Sequence, residues 1–445
     1  MKKILIANRG EIAERIIRTC SKLGLETVAV YSSADKDLPY VKQATVAYEI
    51  GDPPAAKSYL NQEQILRVAS EENVDAIHPG YGFLSENAAF VRKINEQGIT
   101  FIGPTADVVE AMGDKITARK TMQEAGVPVV PGSGEIVDVA EAVAFANEIN
   151  YPIMLKAAAG GGGIGMQRCE NDQELEKAFV SSQNRAKAYF GNGAMFVEKF
   201  IDDARHIEVQ IVGDNHGNIV HLYERDCSIQ RRNQKVLEEA PSPFLSKSTR
   251  IQIGEAALLA AKHVQYTNAG TVEFVMDKDE NFYFLEMNTR LQVEHPITEE
   301  TIGVDLVEWQ INVAEGKVIP LKQEDIQPTG HSIELRLYAE DPTSFMPSPG
   351  KIETLHFPKI EGVRIDSGYE SGSTVSPFYD PMIAKIIVSG SSREEAIKRC
   401  TDFFTSFSLT GIKHNGPLFA QLLKEENFQQ GKYSTSYLSK ILVKK

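Results

Sequence analysis

Apolar positions in the first hundred residues alternate between two rhythms. Ile4-Leu5-Ile6-Ala7 is a short continuous apolar run, the pattern of a strand covered on both faces. Ile12, Ile16, Cys20 and Leu23 follow at helical spacing, and Ala13 and Ile17 widen the stripe. Thr27-Val28-Ala29-Val30-Tyr31 reads as the next strand, and Val74-Asp75-Ala76-Ile77 and Thr100-Phe101-Ile102-Gly103 repeat the pattern. This alternation predicts a doubly wound α/β domain whose site lies at the carboxyl ends of its strands. A nicotinamide dinucleotide site is disfavoured, because Gly10 stands alone where GxGxxG would be required.

Beyond this domain the pattern changes. The Pro/Gly-rich Val127-Pro128-Val129-Val130-Pro131-Gly132-Ser133-Gly134 marks a boundary, followed by a small α/β insert to about residue 200. From His206 the chain predicts hairpins: 206–212, a turn at 214–218, then 219–223. An apolar helix over 251–264 leads to a second hairpin at 270–287. Ile333, Leu335 and Leu337 alternate with Glu334, Arg336 and Tyr338, which predicts a half-buried antiparallel strand. With a helix around 394–404, this last part reads as α+β.

Composition narrows the classes. The 445 residues hold 47 Lys+Arg against 61 Asp+Glu, a net charge of −14, with 42% hydrophobic residues. At roughly 150 residues per domain this suggests about three domains. The acidic balance speaks against nucleic acid, which requires a basic face, but small anions need only a local basic pocket. Cys20, Cys169, Cys227 and Cys400 form no CxxC pair, as expected of a reduced cytoplasm. No apolar run approaches the ~20 residues that span a bilayer, so the sequence predicts a cytoplasmic protein without a membrane anchor.

Three constellations carry chemistry. Lys156-Ala157-Ala158-Ala159-Gly160-Gly161-Gly162-Gly163-Ile164-Gly165 follows an apolar strand, and its glycines would let backbone N–H groups approach a polyphosphate. The hairpin of 270–277 and 282–288, closed by a four-residue turn with Asp277 opposite Phe282, puts Glu273 opposite Glu286. Facing carboxylates repel unless a cation lies between them. With Asn288 on the same face, they suit Mg2+ or Mn2+ held jointly with phosphates. Finally, Glu286, Asn288, Arg290, Gln292 and Glu294 recur every second residue, so an extended chain would carry metal ligands, a cation, an amide and a base along one face.

His78-Pro79-Gly80-Tyr81-Gly82-Phe83-Leu84-Ser85-Glu86-Asn87, the glycine loop, Glu224-Arg225-Asp226-Cys227-Ser228 and the Glu286–Glu294 run together resemble biotin carboxylase, an ATP-grasp enzyme. The likeness covers essentially the whole chain. It implies a Rossmann-like N-terminal domain (1–113), an ATP-grasp domain (114–330) with a glycine-loop lid (about 131–201), and a C-terminal α+β domain (331–445). It also implies a reaction in which ATP and bicarbonate form carboxyphosphate, which carboxylates the ureido N1 of biotin.

Carried over position by position, the resemblance implies ATP contacts from Lys115, Lys156, Gly160, Gly161, Gly162, Gly163, Gly165, Glu198, Lys199, Ile201, His206, Gln230 and Asn233. Glu273, Glu286 and Asn288 would hold two Mg2+ or Mn2+ ions, the two glutamates also meeting ATP. Lys235, Arg290, Gln292, Val293 and Glu294 would receive bicarbonate, with Glu294 as base. Arg336 would stabilise the biotin enolate, and Tyr81 would lie near the biotin ring. Two positions depart from the family pattern: Ile164 stands where a basic residue is usual, and Asn233 where histidine is usual.

No Ala-Met-Lys-Met segment occurs in the sequence. The expected partners are therefore a separate biotin carboxyl carrier protein, carboxyltransferase subunits and a second copy of the chain. Acetyl-CoA is the expected final acceptor, in the first step of malonyl-CoA and fatty acid synthesis. Other acyl-CoA or small-molecule carboxylases, another ATP-grasp ligase, and a nucleotide sensor are the alternatives.

Overall fold

Strand–helix alternation at the N-terminus becomes a five-stranded parallel sheet in the computed structural model, which describes residues 1–158, 166–190 and 193–442. Its strands β1 (Lys3–Ile6), β2 (Glu26–Ser32), β3 (Val46–Gly51), β4 (Ala76–His78) and β5 (Thr100–Phe101) lie in the order β3-β2-β1-β4-β5. Ile4, Leu5 and Ile6 are wholly buried, as the continuous apolar run requires of a central parallel strand. The helix Gly10–Lys22 packs Ile12, Ile16 and Cys20 into the core.

A smaller unit follows the proline-rich boundary. Strands β6 (Ile153–Ala157), β7 (Gln167–Cys169) and β8 (Met195–Lys199) form an antiparallel sheet in the order β7-β6-β8. The helices Val139–Ile149 and Asp172–Phe190 pack against one another and against this sheet. Ile153, Leu155, Val197 and Phe179 belong to a hydrophobic cluster of this unit's own, separate from the main core. The expected phosphate loop, Gly160 to Gly165 with Ile164, lies outside the described residues.

The rest is organised by one eight-stranded sheet. It comprises β9 (Arg205–Gly213), β10 (Ile219–Arg231), β11 (Gln234–Ala240), β12 (Asn268–Met276), β13 (Phe282–Asn288), β14 (His331–Tyr338), β15 (Val363–Ser367) and β16 (Met382–Gly390). Their order is β13-β12-β9-β10-β11-β14-β16-β15, so the two hairpins of the central part and the C-terminal strands share a single ladder. The second strand of the first hairpin is longer than expected, because Glu224, Arg225 and Asp226 continue it instead of ending it. The strand β14 is also a correction: all eight of its residues are buried, so alternation marks two covered faces and not one wet one. Gly368, just past β15, lets the backbone approach the start of the first helix, where a Cβ would come within 2.6 Å of the Glu11 amide nitrogen.

Among the described residues, no helix is long and apolar enough to cross a membrane, and no two cysteines are joined in a disulfide.

Candidate active site

A cavity of about 860 Å3 opens between the small unit and the eight-stranded sheet. Every described residue assigned above to ATP, metal or bicarbonate lines it, as does Arg336; Tyr81 does not. Val130, Met154, Met166, Val275 and Leu285 give part of its wall an apolar character suited to a flat ring, and the rest is densely charged.

One wall comes from the small unit. Lys156 on β6 and Glu198 on β8 project into the cavity and meet at 2.5 Å, Nζ to Oε2. The ammonium of Lys199 is committed to backbone, donating to the carbonyls of Asn150 (2.8 Å) and Tyr151 (3.2 Å). Ile201 lies in the linker after β8, and Lys115 begins the helix Lys115–Glu124, capped by Asp114. Asn233 and Arg232 form the two-residue turn between β10 and β11, with φ of +64° and +50°. Asparagine tolerates that left-handed backbone, a local reason for its presence here.

The opposite wall is the hairpin of β12 and β13. Glu273 faces Glu286 as the sequence predicts, but by a different route. The closing pair is Met276 with Phe282, not Asp277 with Phe282, and an extra residue at Leu285 restores the register. Burial and the Glu273 charge raise the Glu286 carboxyl above its ordinary pKa. Repelling carboxyl oxygens beside an amide oxygen are the donor set of a hard divalent cation, so these residues fit Mg2+ or Mn2+. Glu273 Oε1 accepts from Lys235 (2.8 Å), Gln292 (2.5 Å) and Asn288 (3.0 Å), while His206 Nε2 lies 2.7 Å from Oε2. Gln230 in turn lies 3.0 Å from His206 Nδ1.

The extended-strand reading of residues 286–294 fails beyond Asn288. The strand ends there, and Glu294 sits at the start of the helix His295–Ile302. The five side chains still converge, because the connecting segment folds back over β12. Arg290 Nη2 donates to Asn288 Oδ1 at 2.6 Å, and its Nε to Glu86 at 2.9 Å. Gln292 accepts from Arg225 at 2.8 Å.

Lys235 is the hub of the charged end. Its ammonium lies 2.6 Å from Glu208, 2.8 Å from Glu273 and 2.7 Å from Glu294. Burial would depress its pKa, but the three carboxylates outweigh that and raise it well above the ordinary lysine value. Glu294 is the reciprocal case: burial pushes its pKa up, yet Lys235, Arg336 and Arg225 hold it well below the usual range, so it is a carboxylate. Arg336 also pairs with Glu238 at 2.5 Å.

Several participants were not assigned from sequence. Arg225 is fully buried and donates to Glu208, Gln210, Thr271, Gln292 and Thr298, so it braces the whole cluster. Glu86 and Arg225 both fall inside the quoted motifs, the one signal that could have singled them out. Glu208 and Glu238 carry no such signal.

Three family models match successive parts of the chain: the biotin carboxylase N-terminal domain over residues 1–109, the carbamoyl-phosphate synthase L chain ATP binding domain over 114–322, and the biotin carboxylase C-terminal domain over 334–440. Biotin carboxylase 2 of Bacillus subtilis is 55% identical over 441 residues, covering 99% of both chains. The crystallised biotin carboxylase of Campylobacter jejuni, in a β,γ-ATP complex, superposes with a TM-score of 0.96 at 46% identity, covering 99% of this chain and 98% of that one. The biotin carboxylase domain dimer of Hydrogenobacter thermophilus 2-oxoglutarate carboxylase, solved with MgADP, ADP and bicarbonate, gives 0.95 at 48% identity, covering 99% and 97%.

Proposed function

Because the chain belongs to the biotin carboxylase family, ATP-dependent ligases that carboxylate biotin, we propose a division of labour within its cavity. Lys115, Lys156, Glu198, Lys199, Ile201, His206, Gln230, Asn233 and the glycine loop receive ATP. Glu273, Glu286 and Asn288 hold two Mg2+ or Mn2+ ions, which supply charge neutralisation at the transferring phosphoryl group when bound. Asn288 Oδ1, which accepts from Arg290 in this structure, would be the amide donor to such an ion, and Arg290 would meet an anion.

Lys235, Arg290, Gln292 and the Val293 backbone receive bicarbonate beside Glu294. The base removes the bicarbonate proton, and the freed oxygen attacks the γ-phosphorus, giving carboxyphosphate and ADP. A bound anion draws Lys235 away from Glu294, which raises the basicity of that carboxylate when a proton must be taken. Arg336 and Tyr81 serve biotin, whose ureido oxygen gains negative charge as N1 gives its proton to the phosphate released from carboxyphosphate and takes the carboxyl group.

The observation that carries this reading is the position of Lys235 between Glu273 and Glu294, 2.8 and 2.7 Å away. One cation thereby links a metal carboxylate to a buried base, an arrangement that nucleotide binding alone does not need. Glu294→Gln tests it: bicarbonate-dependent ADP formation falls by at least ~100-fold while MgATP still binds. Unaltered turnover in that variant contradicts the assignment.

Biotin arrives on a carrier protein, as the likeness to free-standing biotin carboxylases supports. The chain works in the cytoplasm as a homodimer with carboxyltransferase subunits. Acetyl-CoA is the acceptor we assign, leading to malonyl-CoA and fatty acid synthesis. The likeness to a domain of 2-oxoglutarate carboxylase means that the partner subunits decide this point, and a biotin blot of copurifying proteins identifies them.

A further inference from the structure

Lys385 lies in the middle of β16 with its side chain wholly buried, and none of the roles above uses it. It is paired on the ladder with Arg336, so both side chains rise from the same face of the sheet. Two directly opposed cations are unfavourable, the same kind of signal as the opposed Glu273 and Glu286. Burying an ammonium there is costly unless it is paired and hydrogen-bonded.

Its partners come from three distant parts of the chain. Nζ donates to the backbone carbonyl of Val293 at 2.8 Å, lies 3.2 Å from Glu11 Oε2 on the first helix, and stands 5.8 Å from the centroid of the Tyr81 ring. The Val293 carbonyl belongs to the peptide that joins Val293 to Glu294. That peptide lies between β13 and the helix His295–Ile302, and among the described hydrogen bonds its carbonyl is met by Lys385. Tyr81 Oη, though buried, has no hydrogen-bond partner among the described residues, so the ring's placement rests on packing and on this cation.

We propose that Lys385 is a positioning residue for the carboxylation reaction: it fixes the Val293–Glu294 peptide against the Tyr81 ring, and Glu11 holds the lysine in place. Glu294 then enters the cavity at a set angle, and the anion subsite and Tyr81 keep a constant separation across two domains. Misplacement of the base by even about 1 Å would cost rate without altering the nucleotide wall. Glu11 makes the one ion pair described for Lys385 and has no catalytic assignment of its own, while Asp366 faces the lysine across the ladder from β15.

The inference rests on Glu294 as the base, and its test separates the two. Lys385→Met, assayed with free biotin, ATP, Mg2+ and bicarbonate, lowers kcat/KM for bicarbonate by about 10- to 100-fold while KM for ATP stays unchanged. Lys385→Arg, which keeps a donor and a charge, recovers part of the loss. If Lys385→Met does not fold, Glu11→Gln keeps the packing and shows the same split in milder form. Wild-type kcat/KM for bicarbonate in the folded variant, or an equal rise in KM for ATP, overturns the proposal. Bicarbonate-independent ADP formation by the unaltered protein would instead overturn the underlying reading.

Discussion

Arg336 Nη2 lies 2.8 Å from Glu294 Oε2, although 42 residues separate the two along the chain. The same nitrogen is 2.5 Å from Glu238, so one guanidinium spans two buried carboxyl groups. It helps to keep Glu294 ionised, while burial pushes Glu238 up to about 7 in spite of it. The guanidinium proposed to serve biotin is thereby also part of what fixes the charge of the proposed base.

Arg336→Met should therefore damage both stability and turnover. Leaving buried carboxylates without their cation costs about 3–5 kcal/mol, read as a lowered midpoint in denaturant unfolding. Biotin-dependent turnover falls by roughly 100-fold or more, while MgATP binding by calorimetry is retained. An unchanged midpoint would show that the ion pairs contribute little.

The opposed Glu273 and Glu286 give a prediction of contrary sign. Glu286→Gln removes a repulsion across the ladder, so the metal-free protein gains roughly 0.5–1 kcal/mol and its thermal midpoint rises. Turnover at ordinary Mg2+ is lost with the ligand. Calorimetry without divalent ions, paired with an activity titration in Mg2+, checks both halves. A lowered metal-free midpoint would mean that Glu286 is held by its own protein and not kept for a cation.

Acid sensitivity should arise away from the cavity, at Glu239. This wholly buried carboxylate accepts from His331 (2.6 Å), Arg393 (2.6 Å) and Tyr433 (2.5 Å). Burial opposes its charge, but His331 and Arg393 outweigh that and lower its pKa from 4.5 to about 2. A depressed carboxyl contributes stability that is complete above its unfolded value and is lost as pH falls from about 4.5 towards 2, some 3 kcal/mol in all. Unfolding free energies across that window should show a slope that Glu239→Gln flattens. Equal slopes would contradict the role.

Much of the fold and of the site was legible in the sequence, for physical reasons that differ by region. The apolar run at Ile4–Ala7 and the helical stripe after it pointed to a parallel sheet, because burial on both faces leaves no other pattern. The Glu273–Glu286 pairing was also legible, though its assumed closing pair was one residue off and the bulge at Leu285 compensated. Alternation misled at Arg290, Gln292 and Glu294, where period two suggested a strand but the chain folds back into a helix. It misled again at β14, where the alternation suggested a wet face but Glu334 is wholly buried beneath the neighbouring strands. Glu208 and Glu238 stayed hidden because nothing in a linear pattern distinguishes a carboxylate that meets a distant lysine or arginine from one that meets water.

The most direct measurement is formation of carboxybiotin from isotopically labelled bicarbonate by the purified protein with ATP, Mg2+ and free biotin. The account predicts label on the biotin ureido nitrogen in step with ADP release, and neither product when bicarbonate is withheld. ADP release that proceeds without bicarbonate, with no label on biotin, would contradict it.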